Sequence, residues 1–121
     1  MSNSANPIEA CSSIEQVRSN IDRIDQHIVG LLAERGAYVK QAAAFKASTA
    51  DVRAPQRVEQ VVGKAVALAR ALGANPAVTE QVYRAMISGF IDAELAEHAV
   101  LQDAAGGVGA SPKPMPFRGT T

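Results

Sequence analysis

Five charged side chains carry the chemistry this sequence offers: Arg18, Arg35, Lys46, Arg57 and Glu94. Arg35 stands on an apolar seam, in a slot where a purely structural helix would carry Leu or Ile. A guanidinium placed there without a partner is costly, so it calls for an anion. Lys46 follows eleven residues later. That is close to three helical turns, so both cations point the same way, ~16 Å apart along the axis. Leaning toward each other, they can bracket a small anion. Arg18 lies seventeen residues before Arg35, ~25 Å away and rotated by about 100°. It can reach the same ligand only from a second chain running antiparallel. Glu94 follows Tyr83, Ile87, Phe90 and Ile91 on an apolar stripe. Desolvation disfavours its anion there unless a cation compensates, and a protonated carboxyl can donate a hydrogen bond. Arg57, in the first turn of another helix, either faces the same pocket or lies on the surface. Snorkelling to solvent is the plain alternative for each cation, and for Arg18 alone it is the better one.

The remaining reactive residues point away from other chemistries. Glu94 and His98 are four apart, His27 is alone, and Cys11 is the one cysteine. None of this makes a two-His or Cys-rich metal spacing. No serine or cysteine sits in a nucleophile motif, and no glycine-rich phosphate loop opens a helix after a strand. A pocket of arginines, a lysine and a carboxyl suits a small dianion. The reaction it suits is governed by orientation and electrostatic stabilisation, with no metal or cofactor expected.

The elements that must position these groups are helices. Ile14, Val17, Ile21, Ile24, Ile28, Leu31, Tyr38, Ala42 and Phe45 recur at spacings of three and four once Arg35 takes its slot. This predicts one long amphipathic helix. Ser12 with Glu15 reads as its capping box, and its end is expected near Lys46 or Ala47. Gly36 is the natural place for a break, but the face resumes at Tyr38, so the helix is expected to continue past a close neighbour. Residues 48–54 read as a loop. Pro55 opens a second helix with Val58, Val61, Val62, Ala65, Leu68, Ala69 and Leu72 on one face and Gly73 as its stop. Asn75-Pro76 opens a third, which runs through Val78, Val82 and Met86 to about Leu101. The expected organisation is a loose leader over residues 1–11, a helical domain over 12–103 and a disordered tail over 104–121.

Hydrophobic content of 47% with a formal net charge of zero places the chain among soluble globular proteins, with no electrostatic reason to bind nucleic acid. The first thirteen residues lack a basic region followed by an apolar run, and no segment reaches the roughly 18 apolar residues of a membrane span. A cytoplasmic protein is the expectation. A first helix of ~35 residues would be ~52 Å long, whereas a compact chain of this length is roughly 35 Å across. The long seam therefore needs cover that two shorter helices cannot give. An all-α, intertwined homodimer of three helices per chain answers this. A monomeric three-helix bundle with a frayed first helix is the competing arrangement.

The segments VRSNIDRIDQHIVGLLAER (17–35), AAAFKAS (42–48) and RAPQRV (53–58), with the last helix up to Glu94, resemble the all-helical chorismate mutases. The resemblance covers about residues 12–102. It implies an intertwined homodimer with two sites, each using both chains. Arg18 of one chain would bind a substrate carboxylate in its partner's site, and Arg35 the carboxylate of the enolpyruvyl arm. Lys46 would donate to the ether oxygen, with Glu94 as its second donor, and Arg57 would be a further basic residue near the site. The implied reaction is the pericyclic rearrangement of chorismate to prephenate. Two positions depart from the mutase pattern: Ala54 and Val58 stand where many bacterial mutases carry carboxylates. With FKAS ahead of APQRV, they look instead like the isochorismate-pyruvate lyases of salicylate synthesis, which share the fold and pocket. A non-catalytic helical dimerisation module is the reading from another class; under it, Arg35→Ala would relieve a buried charge without loss of function.

Overall fold

A computed structural model describes residues 8–106; the expected leader lies partly, and the expected tail mostly, outside them. The chain forms α1 (Ile14–Ala43), a one-turn α2 (Thr49–Arg53), α3 (Pro55–Leu72) and α4 (Pro76–Gly106). There is no strand among the described residues, so the architecture is all-α. α4 packs against each of the other three helices.

Local chemistry sets the ends of these helices. α1 begins one residue later than the expected capping box. Ser13 is the N-cap and accepts from the Gln16 amide at 3.1 Å, while Gln16 Oε1 accepts from the Ser12 amide at 2.8 Å. Gln16 therefore does the work assigned to Glu15. α1 stays continuous through Gly36, where a Cβ would stand 3.1 Å from Phe90 Cε1. Glycine lets α4 approach at this point. The helix ends at Ala43, earlier than expected, and Lys46 lies beyond it.

The segment expected as a loop contains α2. Ser48 caps it, accepting from the Asp51 amide at 3.2 Å. Five residues are too few for a periodic pattern, so only the Ser48–Asp51 cap signals this turn. Ala54 ends α2 and begins α3 in the left-handed region, at φ 35° and ψ 61°. The ring of Pro55 disfavours right-handed helix at the preceding residue, so α2 cannot run on into α3. Pro55 opens α3 as expected. Gly73, at φ 81°, ends it with the Ala74 amide bonded to Ala69 O at 2.8 Å. Asn75 Oδ1 then caps α4 by accepting from Ala77 and Val78. α4 continues through the expected boundary at Asp103 to Gly106.

α3 and α4 form an antiparallel hairpin with an alanine-rich buried face: Val62, Ala65 and Ala69 on α3 and Ile87 on α4. Arg84 clamps the outside, donating Nη1 and Nη2 to the two oxygens of Glu59 at 2.8 and 2.9 Å and Nε to Glu80. The hydrogen bond and then the charge of Arg84 hold the Glu59 carboxyl below its usual range. Whatever this exposed clamp contributes is present at neutral pH and fades as the pH falls through that lowered value. The buried core is small, and the long seam is not part of it. Ile21, Ile24, Ile28 and Leu31 are 44–63% exposed, and Tyr38 and Phe45 more so.

The left-handed Ala54 yields a test. Left-handed backbone costs a residue with a Cβ about 1–2 kcal/mol, and glycine returns about 0.4–1 kcal/mol of that through the unfolded chain. Ala54→Gly should raise the urea midpoint by the equivalent of about 0.5–1 kcal/mol at fixed protein concentration. A lower midpoint would show that Ala54 is not strained.

Candidate active site

The cleft where α1, α2, α3 and α4 converge has a volume of about 360 Å³. Four of the five side chains singled out in the sequence line it: Arg35, Lys46, Arg57 and Glu94. The fifth, Arg18, is exposed near the start of α1. It lies ~25 Å along the helix from Arg35, outside the cleft of its own chain.

Each group is held by a different element. Arg35 comes from α1 and is half-buried, its guanidinium over the Phe90 ring at 5.1 Å. The aromatic face supports the cation without neutralising it, which leaves its donors free for an anion. Phe90 reaches Arg35 because Gly36, the next residue, offers no side chain to obstruct the ring. Lys46 enters from the chain just past α1. The expectation that helical phase aligns it with Arg35 is therefore corrected: the two share a cleft, but the turn after Ala43 brings Lys46 there. Arg57 stands in the first turn of α3, with Nη1 donating to Gln60 Oε1 at 3.0 Å.

Glu94 is the most enclosed charged group, with 5% of its surface exposed. Lys46 Nζ lies 2.8 Å from its Oε2 and supplies the compensating cation. Beyond this ion pair, the buried oxygen has no hydrogen-bond partner among the described residues. One lone pair is left over for an incoming group.

Sequence reasoning missed three features of the cleft. Arg53, from α2, adds a fourth cation at its edge. It escaped notice because α2 itself has no periodic signature. The support of Arg35 by Phe90 depends on how α1 crosses α4. His98, one turn beyond Glu94, has no metal-ligand spacing in the sequence, yet it is buried and lies 2.8 Å from the carbonyl of Lys46. Among the described residues no cluster of three or more His, Cys, Asp or Glu is placed to hold a metal ion. None of the described helices is long and apolar enough to cross a membrane.

Four cations and one buried carboxylate thus line a cleft otherwise walled by Val52, Ala54, Val58 and other apolar residues. In such surroundings charges are weakly screened, and a small polyanion gains more from fixed cations than it would in water.

Comparison with known proteins identifies the family. The chain matches the family described as chorismate mutase type II over residues 17–95. It is 36% identical over 83 residues to the isochorismate pyruvate lyase of Pseudomonas aeruginosa, a span of 69% of this chain and 82% of that protein. The family match contains Arg18 and every charged residue of the cleft. By this match, over most of the helical chain and all of its charged site, the protein belongs to the chorismate mutase type II family.

Proposed function

We propose that the protein catalyses a pericyclic reaction of a chorismate-type dianion, rearranging chorismate to prephenate. The observation that carries this reading is the pairing of Lys46 with a buried Glu94, with Arg35 and Arg57 lining the same cleft. In the rearrangement the ether bond to the ring breaks as a carbon–carbon bond forms, and negative charge grows on the ether oxygen. Arg35 and a second arginine bind the two carboxylates and hold the reactive conformer. Lys46 turns from Glu94 to the ether oxygen. Glu94 is the second group beside that oxygen and, in its acid form, donates to it. Both contacts strengthen as the charge develops, which lowers the barrier.

The second arginine is Arg18 of a partner chain. The exposed seam from Val17 to Leu31 supports a homodimer, since a second copy of α1 and its hairpin would cover it. In that arrangement the helical domain spans residues 12–103, with each site completed by its neighbour.

A second reading has specific support. Ala54 and Val58 line the cleft, so neither position offers a carboxylate to a ring hydroxyl. The relative named isochorismate pyruvate lyase is consistent with elimination of pyruvate from isochorismate in this same pocket. Purified protein should convert chorismate to prephenate without added metal or cofactor. Assayed side by side, a higher kcat/KM on isochorismate, with salicylate and pyruvate as products, assigns the lyase. Consumption of neither substrate overturns both readings. Arg35→Ala should reduce turnover of the preferred substrate by at least ~10²-fold, in line with the loss of an electrostatic donor.

Glu94 provides a second test. A carboxylate can only accept hydrogen bonds, whereas a carboxylic acid or an amide can donate one. Glu94→Gln, which keeps a donor at this place, should retain substantial activity, whereas Glu94→Ala should lose about 10²-fold or more. Equal losses in the two variants contradict donation by Glu94.

A further inference from the structure

His98 is a buried titratable residue for which the proposed reaction has no use. It is 4% exposed on α4. Its Nε2 lies 2.8 Å from the main-chain carbonyl of Lys46, fifty-two residues away in sequence. A carbonyl can only accept, so Nε2 carries the hydrogen and donates it. Gln102 Nε2, 3.5 Å from the same nitrogen, cannot then be donating to it.

The carbonyl it holds is an unusual one. α1 ends at Ala43, so Lys46 O has left the helical ladder, and among the described residues no backbone amide donates to it. The surrounding chain is pinned on each side. The Lys46 amide donates to Ala43 O at 3.3 Å, and the Ala47 amide donates to Asp51 Oδ2 at 3.0 Å. His98 supplies the bond between these two. It also comes from α4, the helix that carries Glu94 one turn earlier. α4 thus grips Lys46 twice, by its main chain through His98 and by its ammonium through Glu94. A flexible four-carbon side chain aims reproducibly only if its backbone is fixed, and among the described residues no other hydrogen bond ties the backbone of Lys46 to α4.

We propose that His98 is the positioning residue for Lys46: its Nε2–H anchors the turn after α1 to α4, so that the ammonium is delivered to one place beside Glu94. The effect on turnover rests on the proposed reaction; the anchor itself does not.

The test compares wild type with His98→Leu, which removes the donor, and His98→Gln, whose amide can place a donor near the position of Nε2. Amide hydrogen exchange is followed by NMR in the intact protein, alongside kcat and KM on whichever of the two substrates is preferred. In His98→Leu the Lys46 and Ala47 amides should exchange at least about tenfold faster while amides in α3 keep their protection. kcat should fall about 10- to 100-fold with KM little changed, as a misplaced catalytic group predicts. His98→Gln should recover both. Wild-type exchange at Lys46 and Ala47 in His98→Leu overturns the proposal, as does equal exchange in the Leu and Gln variants. Faster exchange with kcat unchanged overturns the positioning role. If wild type consumes neither substrate, the proposed reaction fails, and the exchange rates still decide whether His98 is the anchor. Should His98→Leu not fold, His98→Gln decides: wild-type exchange and kcat support the anchor, and their loss in a folded Gln variant overturns it.

Discussion

A carboxylate taken out of water must find a cation, and Glu94 has one within 2.8 Å. Much of the site follows from that requirement. Glu94 sits on the helix that packs against all the others, and Lys46 must cross from the end of α1 to meet it. Removing either partner strands the other, which makes such pairs costly to break even where they add little stability as intact pairs. The site of the free protein therefore rests on this one buried ion pair.

Among the described residues, no carboxylate pairs with the other cations of the cleft. Arg35 is supported by the face of Phe90, which attracts a cation without cancelling it. Among the described residues, the side chain of Arg57 bonds to the neutral Gln60. The other ion pairs among the described residues, of Arg84 with Glu59 and Glu80, lie on the outside of the α3–α4 hairpin, away from the cleft. Helix ends shape the cleft as well. Ala54 turns the chain sharply between Arg53 and Arg57, and the early end of α1 frees Lys46 from helical phase.

The sequence was legible where local chemistry is strong. Gly73 and Asn75 mark the hairpin turn, Pro55 opens α3, and Gly36 signals the close approach of a neighbour, all of which the structure shows. Arg35, Lys46, Arg57 and Glu94 were readable as a group because each interrupts or borders an apolar face. The reason offered for Lys46 was nonetheless wrong, since helical phase stops at Ala43. What stayed hidden depends on contacts distant in the chain or on elements too short for periodicity: the anchor at His98, the ring beneath Arg35, and Arg53 on α2. The exposed seam of α1 is the opposite case. Its pattern is plain in the sequence, yet a single chain leaves it uncovered.

That uncovered seam and the distance of Arg18 from the cleft carry the central claim, that a complete site needs two chains. Mixing two inactive variants tests it directly. Arg18→Ala and Arg35→Ala chains, unfolded together and refolded in equal amounts, should regain about one quarter of wild-type activity, because half the dimers are mixed and each of those has one intact site. Recovery no greater than the sum of the separate variants would contradict a shared site.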